Sequence, residues 1–258
     1  MNSRELFIMA YGIKPVAPAN HFYRLARPPK ELYTQFMFFC IKDSEYGPIL
    51  IDQGCTNQTL EARNLPDRLE HHPIELLNTI QVNAEDVKHI ILSHLHWDHF
   101  AGDITFPNAI YYIHEKEIAF VTGPLMRFKT YANSYFHGTL EAIQQLQKEG
   151  RIRLIKGDAE SPFRGIECLR TGGHTPGHMS VAVTTGRAVT LFCGDVAPRY
   201  QNLEETIACG IHTDVTEALV ALETIWQRAG DLAHAVPGHD PQVTQRYRQI
   251  APGVHRIA

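Results

Sequence analysis

The 258-residue chain lacks any apolar stretch near the roughly 18 residues needed to cross a bilayer. Its start, Met1-Asn2-Ser3-Arg4-Glu5-Leu6, carries an early acid and no long apolar core of the secretory kind. It lacks a basic tract: 24 Lys and Arg stand against 28 Asp and Glu, a formal charge of -4, so no nucleic-acid surface is expected. The five cysteines, Cys40, Cys55, Cys168, Cys193 and Cys209, are odd in number, widely spaced and without a CxxC pair. That argues against a disulfide scaffold or a thiolate zinc site. These absences lead us to expect a cytoplasmic protein, monomer or homodimer, with a small-molecule partner and neither nucleic acid nor membrane. An apolar fraction of 44% and this length can bury a large core, and a single domain over 1–258 is expected.

Histidine, by contrast, is abundant, with fifteen in all. Residues 94–99 read His94-Leu95-His96-Trp97-Asp98-His99, four metal-capable side chains in six positions. Buried His and Asp are costly unless paired or metal-bound, so packing does not explain this density. The preceding run, Val87-Lys88-His89-Ile90-Ile91-Leu92, reads as a buried strand. Alternate residues of an extended chain point the same way, so His94 and His96 can face one cation, and Asp98 and His99, after a turn, a second. Nitrogens with a carboxylate suit Zn²⁺, with Mn²⁺, Fe²⁺ and Co²⁺ also possible.

Strands are expected over 6–9, 33–41, 48–51, 88–92, 111–114, 151–156, 166–169, 180–184 and 189–193, with a helix starting at Pro73. Helices are expected over 139–149 and 214–229, the second capped by Asp214 and stopped by Gly230. Two sheets with helices outside them follow from this rhythm. Metal-capable residues recur past later strands. They are His178 in Thr171-Gly172-Gly173-His174-Thr175-Pro176-Gly177-His178, Asp195 after Gly194, and His239 in Pro237-Gly238-His239-Asp240. His178 can complete a three-nitrogen set, Asp195 can bridge two cations, and His239 can serve the second. The remaining histidines read otherwise: His21, His71, His72, His137 and His255 as surface or supporting residues, His89 and His114 as hydrogen-bonded structural ones.

His94-x-His96-x-Asp98-His99, followed by His178, Asp195 and His239, resembles the metallo-β-lactamase superfamily, in order and over nearly the whole chain. Leu50-Ile51-Asp52-Gln53-Gly54 is similar to that family's early Asp turn. The resemblance implies an α/β, four-layer αββα sandwich with two divalent metal ions at one edge of the sheets. It implies that His94, His96 and His178 hold the first, that Asp98, His99 and His239 hold the second, and that Asp195 bridges both. It also implies that Asp52 supports a ligand histidine and that His174 holds its loop without being a ligand. Gly173 to His178, with Gly238-His239-Asp240, is similar to the N-acyl-homoserine lactonases. Those enzymes carry a Tyr three residues after the bridging Asp, where this chain has Pro198; Tyr200 is the candidate substitute and Arg199 the next. Trp97 stands where they often have Phe.

The implied reaction is metal-dependent opening of a lactone ring or cleavage of a related ester. Two cations lower the pKa of a shared water, and the resulting hydroxide attacks the carbonyl carbon. The second cation is expected to stabilise the oxyanion, with Tyr200 the candidate catalytic aid. The metal-alone case is preferred because the rigid turn at Pro198 can carry Tyr200 away from the pocket. Asp98 or Asp195 is expected to pass a proton to the leaving alkoxide. No nucleophile elbow accompanies a usable triad. A thioester hydrolase of the glyoxalase II type is the alternative, although basic residues for glutathione are not evident. A non-catalytic metal-binding module is the other. Residues 120–131, apolar, aromatic and broken by Gly123-Pro124, read equally well as a pocket cover or as a satellite core.

Overall fold

The computed structural model describes residues 3–258. The strands are, in chain order, β1 (Arg4–Pro15), β2 (Tyr33–Asp43), β3 (Gly47–Ile51), β4 (His89–Ile91), β5 (Ile110–His114), β6 (Ile152–Ile155), β7 (Ala159–Phe163), β8 (Ile166–Arg170), β9 (Met179–Thr185), β10 (Ala188–Gly194), β11 (Ala235–Pro237), β12 (Arg248–Ala251) and β13 (Val254–Arg256). They form two sheets, ordered β12-β13-β1-β2-β3-β4-β5-β6 and β11-β10-β9-β8-β7.

Alternation along the strands builds the layers. In β1, Leu6, Ile8 and Ala10 join Met37, Phe39 and Ile41 of β2 in a core shared with Val181, Val183 and Phe192 of the second sheet. The opposite faces, with Phe7, Met9, Phe38 and Cys40, pack against Leu76 and Leu77 of the helix Pro73–Thr79 and Ile143 of the helix Thr139–Lys148. On the far side, Leu191 and Cys193 meet Ala218, Leu222 and Ile225 of the helix Val215–Ala229. Three apolar layers thus separate helix, sheet, sheet and helix, the αββα arrangement expected. Asp214 caps the last helix by accepting from the Thr216 and Glu217 amides, and Gly230 ends it at φ 70°.

β7 escapes the sequence pattern because it is an edge strand, largely exposed and interrupted by Pro162. The helix Glu115–Val121 escapes it because it is short; His114 caps it by accepting from the Lys116 amide. One irregularity matters for the site. The β1–β2 pairing shifts register between Ala10 and Gly12, so Tyr11 is an extra residue. A bulge of this kind exchanges the faces of everything beyond it.

Candidate metal centre

The segments after β3, β4, β8, β10 and β11 converge at one edge of the two sheets. They bring together three overlapping groups of donors. Nitrogens of His94, His96 and His174 form one, Asp98, His99 and His239 form another, and His94, His99 and Asp195 link the two. Asp195 lies between them. Its Oδ2 is 3.0 Å from His239 Nε2 and 3.6 Å from His174 Nε2, and its Oδ1 is 3.2 Å from His99 Nε2. Asp98 Oδ2 is 3.6 Å from His239 Nε2.

Four of these histidines, His94, His99, His174 and His239, have a partner behind them. Asp52 accepts from the Ser93 amide at 2.7 Å and the Ser93 hydroxyl at 2.9 Å, and from His99 Nδ1 at 2.8 Å. It does so from a left-handed backbone, φ 61°. His174 Nδ1 donates to the Ile211 carbonyl at 2.7 Å, and His239 Nδ1 to the Gln35 carbonyl at 2.9 Å. Because the Ser93 hydroxyl donates to Asp52, His94 Nδ1 donates to Ser93 Oγ, 3.0 Å away. These outward bonds fix the tautomers, as support around metal ligands does.

The consequence is a fit test for a cation. With their outward nitrogens protonated, His94 Nε2 and His174 Nε2 face each other with lone pairs at 3.2 Å, and His174 Nε2 lies 2.9 Å from His96 Nδ1. His99 Nε2 and Asp195 Oδ1 are buried 3.2 Å apart, with no other hydrogen-bond partner. Converging lone pairs are costly, about 1–3 kcal/mol for each unpaired group, unless a positive charge meets them. Burial and histidine neighbours hold the pKa of His94 well below normal, and burial and His174 do the same for His96, keeping both neutral and able to ligate. Burial opposes the protonation of His99 and His239, but Asp195 outweighs it and raises both. The residues fit two divalent cations.

Three expectations are corrected by the geometry. His178 is not in the cluster: its Nδ1 meets Thr171 Oγ1 at 2.8 Å and its Nε2 accepts from the Asp195 amide at 3.0 Å. His174 takes the place expected of it. A Cβ on Gly194 would lie 2.6 Å from His178 Nε2, so only glycine lets the two elements meet here. Tyr200 does not face the site; its ring lies in the inter-sheet core, 1% exposed, with the Arg246 guanidinium 3.5 Å from its centroid. Arg199 is tied to Asp240 Oδ1 at 3.1 Å and the Tyr33 carbonyl at 2.9 Å, a structural role.

Two residues were not read as part of the site. His21 is buried in the wall of the cleft beside His239, and burial, reinforced by His239, pulls its pKa down to about 3. Glu117 is fully buried and accepts from the Leu95 and Gly177 amides and the Tyr135 and Thr175 hydroxyls, joining the two ligand loops. A Cβ on Gly177 would come within 2.2 Å of the Glu117 amide nitrogen. No periodic signal marks such a residue; only the loops it joins do.

A cleft of about 250 Å³ opens above the donors, with Phe36, Trp97, Asp98, Asp195 and Pro198 in its walls. A second lobe of about 270 Å³ shares His96, Ser134 and His174, and is walled by Phe120, Tyr131 and Tyr135. Residues 120–131 therefore contribute to a pocket wall.

Residues 41–239 match the model of the metallo-beta-lactamase superfamily, and the chain belongs to that superfamily. Among curated relatives, an N-acyl homoserine lactonase of Bacillus sp is 26% identical over 192 residues, 69% of this chain and 71% of that one. N-acyl homoserine lactonase AttM of Azorhizobium caulinodans is 26% identical over 221 residues, 81% and 73% of the two chains. Among solved structures, a quorum-quenching N-acyl homoserine lactone lactonase superposes with a TM-score of 0.79 at 22% identity, over 100% of this chain and 99% of the other. AidC, a dizinc quorum-quenching lactonase, superposes at 0.74 with 18% identity, over 98% and 94%. The structural likenesses establish the shared fold.

Proposed function

We propose that the protein is a metal-dependent hydrolase that opens a lactone ring or cleaves a related ester. The observation that carries this reading is the pair of His/Asp clusters, with Asp195 between them, on the floor of an open cleft. In this reading His94, His96 and His174 would hold one divalent cation, Asp98, His99 and His239 the other, and Asp195, which lies between the groups, would serve both. Two cations bound there, Zn²⁺ by donor preference, would supply an acidified water and polarise a carbonyl.

The chain's own residues do the rest. The Asp98 side chain lines the cleft and accepts no hydrogen bond among the described residues. In this reading Asp98 is the group that takes a proton from the attacking water and returns it to the leaving alkoxide. Asp195, held through its amide by His178, stays ionised. Burial works against its charge, and His239 and His99 more than offset it, holding its pKa well below the usual range. The aromatic second lobe excludes water from the apolar part of the substrate. The relatives' activity supports a lactone as the substrate class.

The test is hydrolysis of a panel of lactones, esters and thioesters by protein of measured metal content. Lactone turnover that disappears in Asp195→Ala, with the fold retained, is the expected result. Full activity in that variant, or turnover confined to thioesters, overturns the reading.

A further inference from the structure

We infer that Lys14 makes this cleft selective for lactones or esters that carry a carboxylate, set one aromatic ring away from the reacting carbonyl. The inference rests on the hydrolase reading and specifies its substrate class.

The bulge at Tyr11 is what brings Lys14 to the cleft. Before it, even-numbered residues of β1 face the inter-sheet core. Beyond it, Gly12 pairs with Phe36 and Lys14 with Thr34, so Lys14 shares the face of Phe36 and lines the cleft with Thr34. Its ammonium lies 5.3 Å from the Phe36 ring centroid and 5.2 Å from that of Trp97. Phe36 in turn meets His239 edge-on, with centroids 6.2 Å apart. One ring therefore separates the Lys14 charge from the donor cluster.

Apart from these two rings, that charge has no ion-pair or hydrogen-bond partner. Among the described residues, no carboxylate oxygen lies within 4.0 Å of the Lys14 ammonium, and Lys14 makes no side-chain hydrogen bond. The acids in the same cleft, Asp98 and Asp195, belong to the donor clusters. A second cation reinforces the field: the Arg63 guanidinium sits 4.8 Å from the Trp97 centroid, with one N–H donating to the Tyr135 carbonyl, another to the Asn133 carbonyl, and Nε left without a partner. Aromatic faces hold an ammonium in place and leave its N–H donors free. An ammonium positioned in this way, beside a catalytic floor and unneutralised, is a receptor for an anion on the substrate.

The test uses the metal-loaded enzyme and two matched probes: a γ-lactone with a plain alkyl side chain, and the same lactone with that chain ending in a carboxylate. Wild type should prefer the carboxylate probe in kcat/KM. Lys14→Met should shrink the ratio between the probes about tenfold or more, chiefly through KM, and Lys14→Arg should restore most of it. A uniform loss on both probes, or no preference in wild type, overturns the inference in favour of a purely structural Lys14. Hydrolysis of neither probe counts instead against the hydrolase reading. Calorimetric titration with the ring-opened hydroxydicarboxylate and its monocarboxylate counterpart then reads Lys14 without turnover. A stronger affinity for the dicarboxylate, lost in Lys14→Met, supports the inference, and equal affinities overturn it.

Discussion

His178 Nε2 accepts a hydrogen bond from the Asp195 backbone amide at 3.0 Å, so the second histidine of the Gly-His-Thr-Pro-Gly-His loop aims a carboxylate instead of joining the cluster. His174→Ala is therefore expected to lose a metal ion, while His178→Ala keeps its metal more nearly intact. The latter should lower activity about 10–100-fold by loosening Asp195. Metal analysis by mass spectrometry of both purified variants checks this. Loss of a full equivalent from the His178 variant alone would reverse the assignment.

Asp52 holds His99 Nδ1 at 2.8 Å and fixes the nitrogen that faces the cluster. Asn tolerates the left-handed backbone at this position and keeps the side-chain size. Asp52→Asn should thus fold but favour the wrong tautomer of His99, weakening metal affinity or activity about 10–100-fold. Competition with a chromogenic chelator measures it, and unchanged affinity with unchanged turnover would count against the role of Asp52.

The Tyr200 hydroxyl is buried and without a hydrogen-bond partner. Tyr200→Phe should leave kcat within about threefold and leave stability unchanged or raised by about 1 kcal/mol, since it deletes an unpaired polar group. Steady-state kinetics beside urea denaturation give both quantities. A fall of about a hundredfold at unchanged metal occupancy would instead place the phenol at the reacting carbonyl.

Chelation should abolish turnover and lower the melting temperature, because it returns His94 and His174 to facing lone pairs at 3.2 Å. Adding back Zn²⁺ or Mn²⁺ should restore both. Melting curves before and after chelation, with mass spectrometry of quenched turnover mixtures, form the check. A covalent acyl-enzyme in those mixtures would exclude direct attack by water.

Much was legible from local pattern. Residues 94–99 carry four donors within reach of one turn, β3, β4 and β10 show apolar runs that end at the site, and β9 shows one that starts there. The helices Thr139–Lys148 and Val215–Ala229 carry their own stop and cap signals. The choice between His174 and His178 was not legible, because two histidines four apart in a glycine loop look alike along the chain. It is made when Gly172 and Gly173 adopt positive φ and the Gly173 amide docks on Glu217 Oε2 at 2.8 Å, turning His174 inward. Tyr200 likewise sits two residues past Pro198, but the start of a helix at Tyr200, with its amide on Asp240, turns the ring into the core. The place of Lys14 depends on one extra residue in a strand, which moves a charge from one face of a sheet to the other without changing the local composition. Such outcomes rest on partners far away in the chain, and only packing brings those partners together.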